Sequence, residues 1–347
     1  MLSYKAGLTR IGVSEATSFS YQRDFGSRPK SLRQAIASMD APTSDQWSQV
    51  SDILVDEGWT DEVQGVAWDG SHWIFSTNSN QNKLGHDDRS LYVFKSRAAL
   101  RDGDWVSKLS YKDVPHEVHN GTQPTEEDNH YGQVTYFDGA VYVSHFLEND
   151  APNNRSRVLV LDNADGVLTF SHWIDLERPR SPTDNREDRP EFQAINPWDG
   201  QLYTCFGGPG VNEFFIHDRD GKWKDKRTLK LSEPVNHVQG ACFSPNGHLY
   251  VATNWKLPGD PRFQIIAYHS ALNGQRLGVI PVLAEESEEL EPIDVGEAQE
   301  VEGLCYADVK ASSGERAQIH CVLLDDGGLE TDSIFFKSFS AAAPELV

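Results

Sequence analysis

Basic residues are scarce in this chain. It has 31 lysines and arginines against 53 acids over 347 residues, a formal net charge of −22. That deficit excludes a phosphate-backbone partner, because nucleic-acid binding needs a basic footprint. Long apolar runs are missing too. No stretch is long enough to form a membrane-spanning helix, and Met1 to Phe19 has no apolar core of the signal-peptide kind, so the expected location is cytoplasmic. Cysteine is rare, at four residues. Cys205, Cys242, Cys305 and Cys321 all fall in predicted strands, and none has the C-x-x-C spacing of a zinc or redox site. They read as buried thiols acting as small apolar side chains in a reducing compartment. G-x-S-x-G, P-loop and H-E-x-x-H motifs are also absent, which argues against a covalent serine hydrolase.

What the chain does have is a repeat. Glu62 to Ser76 reads EVQGVAWDGSHWIFS: an alternating run, an Asp-Gly pair and a second alternating run. The pattern returns as HYGQVTYFDGAVYVS from His130, EFQAINPWDGQLYTC from Glu191 and HVQGACFSPNGHLYVA from His237. A looser copy is EVEGLCY from Glu300, rejoined after an apparent insertion by QIHCVLL from Gln318. Period-two alternation across Asp-Gly or Asn-Gly is a strong hairpin signal. Gln64, Gln133, Gln193, Gln239 and Glu302 align at intervals of 46 to 69 residues. Four-stranded repeats near this length are the mark of propeller blades, with the extra length in loops.

The expectation is therefore an all-β fold, a five-bladed β-propeller spanning residues 46–347 as one domain. Residues 1–45 precede it as an extension with a short helix after Pro29; six blades would require strands hidden there. The fifth unit has only three strands, the last at Ser333 to Phe339. A spare strand between Trp47 and Trp59 is placed to complete it, joining the two ends of the chain and covering a sheet edge.

Such a fold gathers the starts of the innermost strands around one channel mouth. Two residues before the aligned amides lie Glu62, Tyr131, Glu191, His237 and Glu300, with His130 beside Tyr131. Positions two apart on a strand share a side, so each acid or imidazole is expected to pair with its amide. Converging carboxylates raise one another's pKa, and a divalent cation on Glu62, Glu191, His237 and Glu300 would relieve that. Oxygen ligands suit calcium or magnesium, and the imidazole admits a transition metal. A ring of polar side chains and water, with no ion, is the competing reading. Gln64, Gln133, Gln193 and Gln239 are the expected substrate-binding amides, with His145, Asn254 and Trp255 on the rim. His130, His237 and Glu302 are the expected acid–base groups. The long loop from Glu285 to Glu302 carries nine acids and no base, a solvated loop in its simplest reading.

The run VQGACFSPNGHLYVATN, Val238 to Asn254, resembles the calcium-dependent lactonase, gluconolactonase and phosphotriesterase propellers. That resemblance implies a calcium ion at the channel mouth, held by residues at the strand starts: here Glu62, Glu191, His237 and Glu300, with the neighbouring glutamines beside them. Those families close with six blades where five are counted here. Together the two lines of reading point to a metal-dependent enzyme acting on a small polar organic substrate, with ester or lactone hydrolysis the most natural chemistry. The alternative is a non-catalytic sugar-binding or protein-interaction propeller, which would repeat near-equivalent pockets on every blade.

Overall fold

The structure, a computed structural model, describes residues 42–78, 89–115, 129–147, 157–177, 192–205, 210–257, 260–283, 299–311, 313–325 and 332–342. The helix expected after Pro29, residue Glu191 and most of the acidic loop before Gln299 lie outside them. Two strands near the N-terminus, β1 (Trp47–Ser51) and β2 (Leu54–Val55), precede the blades. Blade 1 is β3 (Val63–Trp68), β4 (Trp73–Thr77), β5 (Ser90–Phe94) and β6 (Ser107–Ser110). Blade 2 is β7 (Asn129–Phe137), β8 (Ala140–Leu147), β9 (Arg157–Ala164) and β10 (Val167–Asp175). Blade 3 is β11 (Ala194–Ile195), β12 (Leu202–Thr204), β13 (Val211–His217) and β14 (Thr228–Val235). Blade 4 is β15 (Val238–Phe243), β16 (His248–Leu257), β17 (Asp260–Ser270) and β18 (Arg276–Leu283). Blade 5 runs β19 (Gln299–Lys310), β20 (Arg316–Asp325) and β21 (Ser333–Ala341), and β1 adds its outermost strand.

Each blade is an antiparallel meander, and the five together form the expected propeller. The N-terminal closure is as read from the sequence: Trp47 pairs with Ala341, and β2 pairs with Phe335 and Ile334 farther along β21. An ion pair fastens it, Asp52 Oδ2 to the buried Lys337 Nζ at 2.6 Å. Among the described residues no helix is long and apolar enough to cross a membrane.

The core is a series of five seams, one between each pair of neighbouring blades. Alternation explains the near-continuous apolar strands. On β16, Tyr250 and Ala252 enter the seam with blade 5, while Leu249 and Val251 enter the seam with blade 3. A strand buried on both faces needs apolar residues at both parities. All four cysteines are buried in these seams, none of them in a disulfide.

Three details differ from the sequence expectation. The apparent insertion in the fifth unit is hairpin: β19 and β20 stay paired out to Lys310 and Arg316. Blade 1 carries a short helix, α1 (Arg97–Arg101), that apolar alternation did not announce; its N-cap Ser96 accepts a hydrogen bond from Ala99 N. The run Trp223 to Leu231 reads as one strand in the sequence, yet the outer strand of blade 3 begins at Thr228, because Asp225 and Lys226 take positive φ, which breaks an extended run.

His269 on β17 is fully buried. Loss of hydration lowers its pKa from 6.5 to about 4. The folded chain therefore refuses a proton that the unfolded chain accepts between those two values. Stability is present above pH 6.5 and falls as the pH drops towards 4, by up to about 3 kcal/mol from this group. Urea unfolding of the wild type and of His269→Gln across that window checks it: the pH slope should be shallower in the variant.

Candidate functional site

The inner strands of blades 1, 2, 4 and 5 share a feature that alternation cannot reveal. Each has a bulge just after its first residues. The register slips between Val63 and Gly65, Tyr131 and Val134, Val238 and Gly240, and Val301 and Leu304. A bulge adds one residue to one strand and re-aims a side chain. Gln64 and Gln239 are the added residues in blades 1 and 4. The expectation that every acid pairs with the amide two residues on rested on unbroken alternation, which these bulges interrupt.

The bulges also correct the alignment of blade 2. Counted back from Val66, Val134, Ala241 and Leu304, the preceding residues are Gly65, Gln133, Gly240 and Gly303. Gln133 thus takes the place of a glycine, and His130, not Tyr131, is the counterpart of Glu62. The glycines are there because the blades meet at the axis. A β-carbon on Gly303 would lie 2.4 Å from Gly65 Cα, and one on Gly65 would lie 2.6 Å from Val134 N. Into this gap blade 2 sends the Gln133 side chain, 1% exposed. Its Nε2 donates to Leu304 O (2.8 Å) and Val66 O (3.1 Å), and its Oε1 accepts from Leu304 N (2.9 Å). Its amide is committed to blades 1 and 5, below the mouth.

Gly65 touching Gly303 sets the residues just before them, Gln64 and Glu302, at neighbouring positions around the mouth. Two polar groups form there. In the first, Gln239 Nε2 donates to Glu302 Oε1 at 2.9 Å and to Glu300 Oε2 at 3.1 Å. Glu302 is 2% exposed, while Glu300 is half-buried. Both carboxylates thus meet one amide. In the second, Gln64 Oε1 stands 3.0 Å from His130 Nε2. The amide oxygen can only accept, so this contact suits the tautomer protonated at Nε2.

The other expected site residues are placed elsewhere. Glu62 and His237 occupy the turns that enter β3 and β15, with φ of 52° and 47°. Glu62 N donates to the buried Asp332 Oδ2 at 3.1 Å, and His237 is exposed. Gln193 is fully buried and donates to Tyr142 O in blade 2 at 2.7 Å. His145 lies in the seam between blades 1 and 2, stacked on Tyr111 and tilted against Trp173. Asn254 Oδ1 accepts from Val301 N at 3.2 Å, lacing blade 4 to blade 5. Asn78, which the sequence reading passed over, does the same from blade 1 to blade 2: it donates to Tyr131 O (2.6 Å) and accepts from Tyr131 N (2.7 Å). The Thr-Asn pair that follows the apolar run of the second strand in blades 1 and 4 was the available signal. The Trp255 side chain and Glu191 lie outside the described residues.

A divalent ion would need at least one further ligand beside the two carboxylates. Among the described residues no group of three or more His, Cys, Asp or Glu converges as a ligand set. The two acids that do converge already share the Gln239 amide, which supplies positive hydrogens between them. The described residues thus bring two carboxylate donors together, with Glu191 outside them.

Comparison with known proteins adds little to the fold. No protein-family model matches the chain, and neither does any curated protein. Among solved structures, the GH43_1 enzyme from Xanthomonas citri complexed with xylose is 12% identical, covering 92% of this chain and 96% of that one at a TM-score of 0.47. The GH43 endo-arabinanase from Bacillus licheniformis is 12% identical, covering 82% and 96% at 0.45. Sqt1 of Saccharomyces cerevisiae is 11% identical at 0.33, and this chain spans only 55% of its length. At these values the likenesses carry no activity across.

Proposed function

We propose that this chain is an enzyme acting on a small polar organic substrate at the mouth of the sealed propeller axis, with hydrolysis of an ester or lactone as its reaction. The observation that carries the reading is the meeting of Glu300 and Glu302 on the Gln239 amide, directly above an axis closed by Gln133. Fixed polar groups at such a mouth can hold a substrate in one orientation. Glu302, nearly buried beneath Glu300, is the group for general-base removal of a proton from attacking water. His130, its ring oriented by Gln64, is the second acid–base group. Gln64 and Gln239 supply the amides that orient a polar substrate.

Differences between blades favour one site over five. The mouth positions are Gln64, Gly132, Gln193, Gln239 and Glu302, and Gln193 turns away into a seam. A binder built from equivalent blades would not vary in this way. The divalent cation expected from the sequence, calcium before magnesium or a transition metal, belongs to the same proposal as a separable part. Glu300 and Glu302 are two of the oxygen donors calcium favours.

The test is a panel of aryl esters and lactones, assayed in chelator and again with calcium, magnesium or manganese. Turnover of an ester or lactone supports the reading, and dependence on added calcium supports the cation. No turnover of any member under any of these conditions overturns it, and sugar binding at five per chain would favour the binder instead.

A further inference from the structure

The geometry points to Gln133 as the positioning residue of this mouth, acting on Glu302 and Gln239 without touching substrate. The inference rests on the proposed function for its kinetic consequence, although its structural part stands alone. Leu304 follows Glu302 by two residues, on the far side of the bulge in β19. Gln133 grips Leu304 at both backbone groups, giving a hydrogen to Leu304 O and taking one from Leu304 N. That two-point contact imitates the pairing of one strand residue with another, and it comes from a different blade. The same amide reaches Val66 O in blade 1, and its Oε1 faces Gly240 of blade 4, where a β-carbon would come within 2.8 Å of it. Gly240 follows Gln239 directly. One side chain is therefore in register with the backbone beneath both members of the Glu302–Gln239 contact.

This arrangement differs from plain filling of the axis. An apolar side chain of the same length could fill the space, yet it would leave the N–H and C=O of Leu304 without partners in a buried setting, and the strand would shift to recover them. The shift would move Glu302, two residues away, against Gln239. Glycine in blades 1, 4 and 5 makes room for one such clamp, and blade 2 provides it by having Gly-Gln where blades 1 and 4 have Gln-Gly.

The experiment uses the full chain, isotopically labelled, with Gln133→Met as the variant that keeps length and loses the amide. In the wild type, a through-hydrogen-bond coupling should join Leu304 N to the Gln133 side-chain carbonyl carbon. In folded Gln133→Met, the side-chain amide hydrogens of Gln239 should exchange about tenfold faster, as expected for loss of a buried polar contact. For a substrate the wild type turns over, kcat should fall about tenfold with KM within about twofold, the mark of a group that aligns reacting atoms rather than binding. Unchanged Gln239 exchange in the folded variant overturns the inference, as does absence of the wild-type coupling. The coupling decides the matter should the variant fail to fold. A wild type inactive on every ester and lactone would defeat the hydrolase reading while leaving both NMR outcomes to decide the role of Gln133.

Discussion

Glu302→Gln is expected to abolish nearly all turnover while leaving the fold intact. Glutamine has the same shape, and its side-chain oxygen can still accept the hydrogen that Gln239 Nε2 gives to Glu302 Oε1 at 2.9 Å. What it cannot do is take a proton from water. General-base catalysis contributes about 10²–10⁴-fold, so kcat/KM should fall by that factor. Thermal unfolding should stay close to wild type, since the replacement keeps the side chain's size and the hydrogen bond from Gln239. Glu300→Gln is the internal comparison: its carboxylate is half-buried and reaches the same amide at 3.1 Å, and a smaller loss is expected there. Steady-state kinetics on the first ester or lactone that the wild type hydrolyses supplies the measurement. A Glu302→Gln protein with wild-type kcat would remove Glu302 from the mechanism.

Gly303→Ala should be the most damaging small substitution in the axis. The new carbon would sit 2.4 Å from Gly65 Cα and 2.5 Å from Val66 N, both backbone atoms of blade 1. No rotamer change can relieve a clash between a β-carbon and a neighbouring backbone, so the inner strands of blades 1 and 5 must part. The expected cost is about 3 kcal/mol, at the upper end of overpacking effects, read as a lower urea midpoint. Gly58→Ala is the control: nothing lies within 4 Å of a β-carbon there, and its effect should stay within about 0.5 kcal/mol. Equal stability of the two variants would refute the close approach of the blades at the axis.

Much of the fold was legible because its signals are local. Asp138-Gly139 closes β7 to β8 with both residues at positive φ, a turn that its dipeptide announces. Matching by residue type failed at Gln133, however, because blade 2 reverses the Gln-Gly order of blades 1 and 4. Only the strand register shows that Gln133 stands where they have glycine. His145 and Gln193 were assigned to the mouth for the same kind of reason, and the structure puts both between blades. A polar residue near a strand end can face a mouth or a seam, and its own neighbours in sequence do not say which.

From the chain alone followed the β class, the hairpins, the number of blades and the closing strand, since alternation and turn chemistry act over a few residues and repeat. Only the assembled molecule decided where the bulges fall, how near the blades approach, and that Gln133 seals the axis beneath Glu302. Those outcomes depend on hydrogen bonds between residues as far apart as Gln133 and Leu304, and a bond of that reach is set by the closing of the ring, which no short stretch of the chain contains.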